Sequence, residues 1–118
     1  MQYLLIICDD PTVLAGMSGA DHTRRYEAYR AFTDEIRTAG LYVDGNPLEP
    51  VATATTIRLR GGKRLVTDGP FAESKEHLVG YYLIDVPDLD AALTVAARIP
   101  SATTGAVEVR PNRSLHPA

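Results

Sequence analysis

Apolar residues run unbroken from Tyr3 to Cys8 and end at Asp9-Asp10-Pro11. A short continuous run closed by polar and turn residues predicts a central strand covered on both faces, and we place the first strand there. Tyr26, Tyr29, Phe32 and Ile36 then recur at three- and four-residue spacing as far as Ala39-Gly40, behind a Ser18-x-x-Asp21 capping box. That pattern predicts one amphipathic helix ended by a glycine cap. Its opposite face carries Arg24, Arg25, Glu27, Arg30, Asp34, Glu35 and Arg37, with Arg30 and Asp34 at ion-pair spacing, and reads as a solvated face.

Leu41-Tyr42-Val43 starts a second strand, which Gly45-Asn46-Pro47 and Glu49-Pro50 keep short or bent, as at a sheet edge. Thr55 to Arg60 alternates polar and apolar, Gly61-Gly62 supplies positive dihedrals, and Arg64 to Thr67 returns, which predicts a hairpin. Leu78 to Val86 follows as a long strand in which Gly80 admits a close backbone approach. Pro87-Asp88 ends that strand and caps a second helix striped by Leu89, Ala92, Leu93 and Ala96, and Pro100 stops it. Ala106 to Arg110 alternates as a last strand before a polar tail, expected to fray from about Pro111. The order predicts an α+β sandwich of the ferredoxin-like kind in a single domain over residues 1–118. It has an antiparallel sheet, two helices on one face and an inserted β-hairpin. Two helices cover one face only, so a second copy stacked on the other, a homodimer, is expected.

Composition narrows the partners. A net charge of -3 leaves no electrostatic footprint for nucleic acid or an anionic membrane surface. The lone Cys8 lies in the apolar run and reads as a small core residue, with no disulfide available within one chain. That run is too short to span a membrane and lacks the basic flank of a signal peptide, so a cytoplasmic protein is expected. His22, His77 and His116 are far apart and match no metal spacing. Nucleophile-elbow, P-loop and dinucleotide motifs do not occur, so no cofactor is expected.

The densest chemistry lies between Val66 and Tyr82, where Asp68, Glu73, Lys75, Glu76 and His77 gather beside Phe71 and the tyrosines Tyr81 and Tyr82. Gly69-Pro70 bends the chain sharply and holds the loop against the sheet. Asp68, at a strand end, is an acid-base candidate with His77 or Tyr81 as its proton partner, and His22 at the start of the first helix is a second. Arg58 is placed to hold an anion or to neutralise Asp68, while Arg110 reads as the partner of Glu108. A bend of this kind also serves as an ordinary turn, and Glu-Ser-Lys-Glu also serves as a solvated face, so both readings stand here.

T-D-G-P-F-A-E-S-K-E (67–76), followed by G-Y-Y-L-I-D-V (80–86), with A-T-A-T-T-I-R ahead and V-E-V-R-P behind, resembles the DGPF branch of the YCII-related proteins. The resemblance covers nearly the whole chain. It implies a ferredoxin-like fold of the dimeric α/β barrel superfamily and a small cytoplasmic homodimer. It also implies a link to extracytoplasmic-function sigma factors and so a role around transcription initiation. The wider family shares a histidine and an aspartate; here Tyr29 stands where the histidine falls and Ile99 where the aspartate falls. That departure shifts attention to Asp68, Glu73, Lys75, Glu76 and His77.

Two functions therefore follow as expectations. One is a small-molecule protein doing cofactor-free acid-base chemistry of the isomerase or lyase type, with Asp68, His77, Glu73, Lys75 and His22 as the reacting groups and Phe71, Glu76, Tyr81, Tyr82 and Arg58 around the ligand. The other is a non-catalytic regulatory module whose acidic loop meets a sigma factor. A concave pocket favours the first, and a flat exposed loop favours the second.

Overall fold

The first strand, β1 (Gln2–Asp9), alternates in burial: Tyr3, Leu5, Ile7 and Asp9 are buried, and Leu4, Ile6 and Cys8 are half-buried. A computed structural model describes residues 1–71 and 75–114. β1 lies in the middle of a four-stranded sheet with β2 (Tyr42–Pro47), β5 (His77–Asp85) and β6 (Ala106–Pro111), in the order β2-β5-β1-β6. Every neighbouring pair is antiparallel. β3 (Thr55–Arg60) and β4 (Lys63–Asp68) form a separate two-stranded sheet. With α2 (Gly19–Thr38) and α3 (Leu89–Ala96) on one face, the chain adopts the ferredoxin-like α+β sandwich, interrupted by the expected hairpin. A one-turn helix, α1 (Pro11–Ala15), stands between β1 and α2.

One cluster joins Tyr3, Leu5 and Ile7 of β1, Tyr82 and Ile84 of β5, Phe32 and Ile36 of α2, and Ala92, Val95 and Ala96 of α3. The Ser18 hydroxyl accepts from the Asp21 amide at 3.1 Å and the Asp21 carboxylate accepts from the Ser18 amide at 3.0 Å, the reciprocal box that the spacing predicted. At the other end Gly40 takes φ 74°, and Leu41 N–H returns to the Ile36 carbonyl at 2.9 Å, a Schellman closure that few residues other than glycine allow.

Several expectations need correction. β1 is covered on one face only, because both long helices pack on the side of Tyr3, Leu5 and Ile7. Tyr26 lies off the core, 69% exposed, and the buried α3 stripe is Ala92, Val95 and Ala96 rather than one including Leu89 and Leu93. Gly45-Asn46-Pro47 does not turn away but stays in β2, paired with Tyr82, Tyr81 and Gly80. A Cβ on Gly45 would lie 2.7 Å from the Tyr82 ring, and one on Gly80 would lie 3.0 Å from the Asn46 carbonyl, so both glycines permit this tight edge pairing. α1 was not foreseen: Asp10 caps it from Oδ1, 2.9 Å from the Thr12 amide, and Pro11 fills its first turn, so a sequence that reads as a strand terminator also starts a helix. The Asn112 amide donates to the Gln2 carbonyl at 2.9 Å, one residue beyond the end of β6; residues 115–118, including His116, lie outside the described residues.

Candidate functional site

α2 crosses the sheet edge and leaves a cleft of about 630 Å³ between itself, β2 and the β5 segment from Val79 to Tyr82. The helix contributes the side at positions 22, 25, 26, 29, 30, 33, 34 and 37, a helical periodicity that the sequence reads in part as core and in part as solvated surface. The wall so formed is aromatic and basic, with Tyr26, Tyr29, Tyr42 and Tyr82 among Arg25, Arg30 and Arg37, and Asp34 the carboxylate on the lining.

At the inner end, the side chains are held by one network. The fully buried Asp9 pairs with Arg25 and accepts from the hydroxyls of Ser101 and, at 2.6 Å, Thr104. Arg25 also donates to Ser101 at 2.7 Å, and Tyr29 is hydrogen-bonded to the same hydroxyl. A carboxylate can only accept, so Ser101 spends its one proton on Asp9 and takes the Tyr29 proton in turn. Burial pushes the Tyr29 phenol above its usual range, with the Ser101 hydrogen bond working the other way, so the ring stays neutral at pH 7. Gly105 makes this approach geometrically feasible: a Cβ there would lie 2.1 Å from the Cys8 carbonyl.

Further out, the Thr33 hydroxyl donates to the Tyr29 carbonyl at 2.9 Å, which leaves it to accept from Tyr82 at 2.6 Å. Burial raises the Tyr82 phenol as well. The Arg37 guanidinium lies 4.5 Å from the centre of the Tyr42 ring. Arg30 forms no hydrogen bond or ion pair among the described residues, and the expected Arg30 and Asp34 pairing does not form. The side chain of His22 is likewise without a polar partner among the described residues.

Of the residues expected from the sequence, His22, Tyr81 and Tyr82 lie on this cleft. Tyr81 and Tyr82 do not stack, because successive strand residues point to opposite faces; Tyr82 enters the core, and the Tyr81 hydroxyl accepts from Asn46 at 3.0 Å. Asp68 ends β4 opposite Thr55, exposed, at the base of the hairpin. Arg58 is paired with Phe71 rather than Asp68, its guanidinium 4.8 Å from the centre of a ring that is 73% exposed. Lys75 reaches Asp10 at 3.8 Å, Glu76 is exposed, and His77 pairs across the sheet with Asp9. Glu73 lies outside the described residues. Arg110 bonds Glu108 at 2.6 Å, as expected. Burial, and then the charges of Glu76, Glu108 and Asp9, push the Cys8 thiol up, away from nucleophilic thiolate.

Asp9, Ser101, Thr104 and the arginines of the cleft were missed. The signal available was the helical spacing of Arg25, Tyr29, Thr33 and Arg37, each four residues from the next; nothing local ties Ser101 to Asp9, 92 residues earlier. Among the described residues no group of three His, Cys, Asp or Glu side chains could hold a metal ion, and no helix is long and apolar enough to cross a membrane.

Comparison with known proteins decides the family: the YCII-related domain profile matches residues 1–114. The chain belongs to the YCII-related domain family. The chain is also similar to an uncharacterised protein of Rhizobium meliloti (strain 1021), 38% identical over 119 residues, which cover 94% of this chain and 91% of that protein. The YCII-related domain thus includes the cleft, the Asp9 network and the hairpin.

Proposed function

We propose that this YCII-related protein binds a small organic anion in the cleft between α2 and the β2–β5 edge. The observation that carries the reading is the placement of cations in an acidic chain. The net charge is -3, yet among the described residues Arg25, Arg30 and Arg37 face a single lining carboxylate, Asp34. With Arg25 matched by the buried Asp9, Arg30 and Arg37 still outnumber Asp34 by one. A carboxylate lying against Tyr26, Tyr42 and Tyr82 would gain Arg30 as a paired donor, and the aromatic walls would take an apolar body. The volume of about 630 Å³ falls within the roughly 300–1,000 Å³ typical of ligand sites.

Of the acid-base residues expected from the sequence, the reading retains His22, at the outer part of the cleft, as the group placed to exchange a proton with a bound ligand. Asp68 has no place in it. A melting-temperature screen of aromatic and aliphatic carboxylates, each beside its uncharged amide, tests the reading. Carboxylates are expected to stabilise the protein and amides are not, and Arg30→Ala is expected to weaken binding by roughly tenfold or more, the worth of a charge-assisted hydrogen bond. Equal effects of acid and amide, or an Arg30→Ala protein with unchanged affinity, would overturn it.

A further inference from the structure

The hydroxyls on the inner wall of the cleft have their protons already placed. Ser101 gives its one proton to Asp9, so the Tyr29 phenol donates to Ser101 and has none left for a ligand. Thr33 gives its proton to the Tyr29 carbonyl at 2.9 Å, so the Tyr82 phenol donates to Thr33 at 2.6 Å. Tyr42 and Tyr81 make longer bonds of the same sense, each 3.3 Å, to the Gly45 carbonyl and the Asp44 carboxylate. Tyr26 stands at the rim, 69% exposed, and its hydroxyl is left to solvent. A ligand therefore meets neutral oxygens on this wall that accept hydrogen bonds and do not donate them.

Two of these oxygens still have room to accept. Asn46 already donates to Tyr81 at 3.0 Å, and the Tyr42 hydroxyl holds the Arg37 guanidinium above its ordinary range, so both of those oxygens are engaged. Tyr29 and Tyr82 each donate one bond and accept none among the described residues. Of the two, Tyr29 is the better acceptor. Its chain of bonds runs through Ser101 to the Asp9 carboxylate, and each bond in such a chain polarises the one before it, which enriches the Tyr29 oxygen. It is also half-buried, whereas Tyr82 is only 8% exposed, and Arg30 follows it directly on the helix.

We infer that the anion taken by the cleft is a hydroxycarboxylate, its carboxylate on Arg30 and its α- or β-hydroxyl donating to the Tyr29 oxygen. The inference rests on the anion reading above and adds the second group that the site selects. A ketone in place of the hydroxyl has no proton to give and sets its lone pairs against that oxygen. An ammonium has protons to give, but it enters among Arg25, Arg30 and Arg37 with Asp34 as the lining carboxylate among the described residues, and is repelled. A neutral donor beside a carboxylate is the combination that suits both the acceptor and the cations.

Isothermal titration calorimetry on the full chain tests this. The probes are phenylbutanoate, whose ring suits the aromatic walls, its α-hydroxy, β-hydroxy, α-oxo and α-amino derivatives, and the amides of the two hydroxy acids. The better hydroxy acid is expected to bind about tenfold more tightly than phenylbutanoate, the worth of one well-made neutral hydrogen bond, and the oxo and amino acids no more tightly than phenylbutanoate. Tyr29→Phe keeps the ring and removes the acceptor, and it strands no donor, because Ser101 still accepts from Arg25 at 2.7 Å. In that variant the hydroxy acid is expected to lose its advantage over phenylbutanoate. Equal affinity of the wild type for plain and hydroxy acids, an oxo or amino acid that binds as tightly as the hydroxy acid, or a Tyr29→Phe protein that keeps the hydroxyl preference would overturn this inference and leave the anion reading standing. Hydroxy amides that bind as tightly as the hydroxy acids, or no binding by any of the acids, would overturn both.

Discussion

Asp9 and Arg25 are sixteen residues apart and meet where the end of β1 passes the first turns of α2. Asp9 is wholly buried, and the guanidinium side chain is 17% exposed, so removing one charge strands the other in a low-dielectric site. Asp9→Asn is expected to cost about 3 kcal/mol, measured by denaturant unfolding, because the amide still fills the space and accepts one bond but leaves Arg25 unmatched. Asp10, its neighbour, behaves differently. The Thr12 hydroxyl and then the Thr12 amide hold the Asp10 carboxyl below the usual carboxylate range, with the Lys75 charge a smaller contribution. A lowered folded pKa contributes stability that is present above the unfolded value, about 3.9, and is lost as the pH falls through the folded one. Asp10→Asn keeps a good helix cap but cannot titrate, so its melting temperature is expected to fall less steeply than that of the wild type below about pH 4. At this scale the sequence was legible only in part. Asp9-Asp10 marked the end of a strand correctly, but burial of the first aspartate depends on Ser101 and Thr104, which no local pattern connects to it.

Elements were easier to read than residues, because their signals are local. The Ser18 box, the Gly40 cap, the Gly61-Gly62 hairpin with φ of 56° and 76°, and the Asp88 cap each need only a few adjacent residues, and each forms as expected. Failures arose where a neighbour decided the matter: β2 keeps Gly45 to Pro47 in the sheet because Gly45 fits against Tyr82, and α3 turns Val95 inward because the core needs volume there. The glycines separate these two kinds of cause. Gly69 has φ 106° with nothing near its missing Cβ, whereas Gly105 has ordinary φ and backbone 2.1 Å from where a Cβ would sit. Gly69→Ala is therefore expected to cost about 1–2 kcal/mol from backbone strain alone, and Gly105→Ala about 3 kcal/mol or more, since the turn after α3 must retreat from β1. Matched unfolding curves for the two variants check the order; a Gly105→Ala protein as stable as Gly69→Ala would contradict it.

At the scale of the whole molecule, the fold class was legible from element order, and the family from the strings around Asp68 to Val86. The site was not. The D-G-P-F stretch is the richest cluster of titratable groups, and its described residues lie at the base of the hairpin and the start of β5, whereas the cleft is assembled from one helix face and two strands far apart in sequence. A solvated helix face and one that lines a cleft have the same spacing; what distinguishes them is the wall opposite, and that wall is β2 and β5. The central claim is that this wall and α2 together hold a small anion. An amide nitrogen–proton NMR titration of the full chain with the best stabilising carboxylate tests it most directly. The account predicts saturable shifts concentrated in residues 22–37 and in β2 and the Val79 to Tyr82 segment, lost in Arg30→Ala and retained in Asp68→Asn. Shifts centred instead on Asp68, Lys75 and His77, or abolished by Asp68→Asn with Arg30→Ala unaffected, would contradict it.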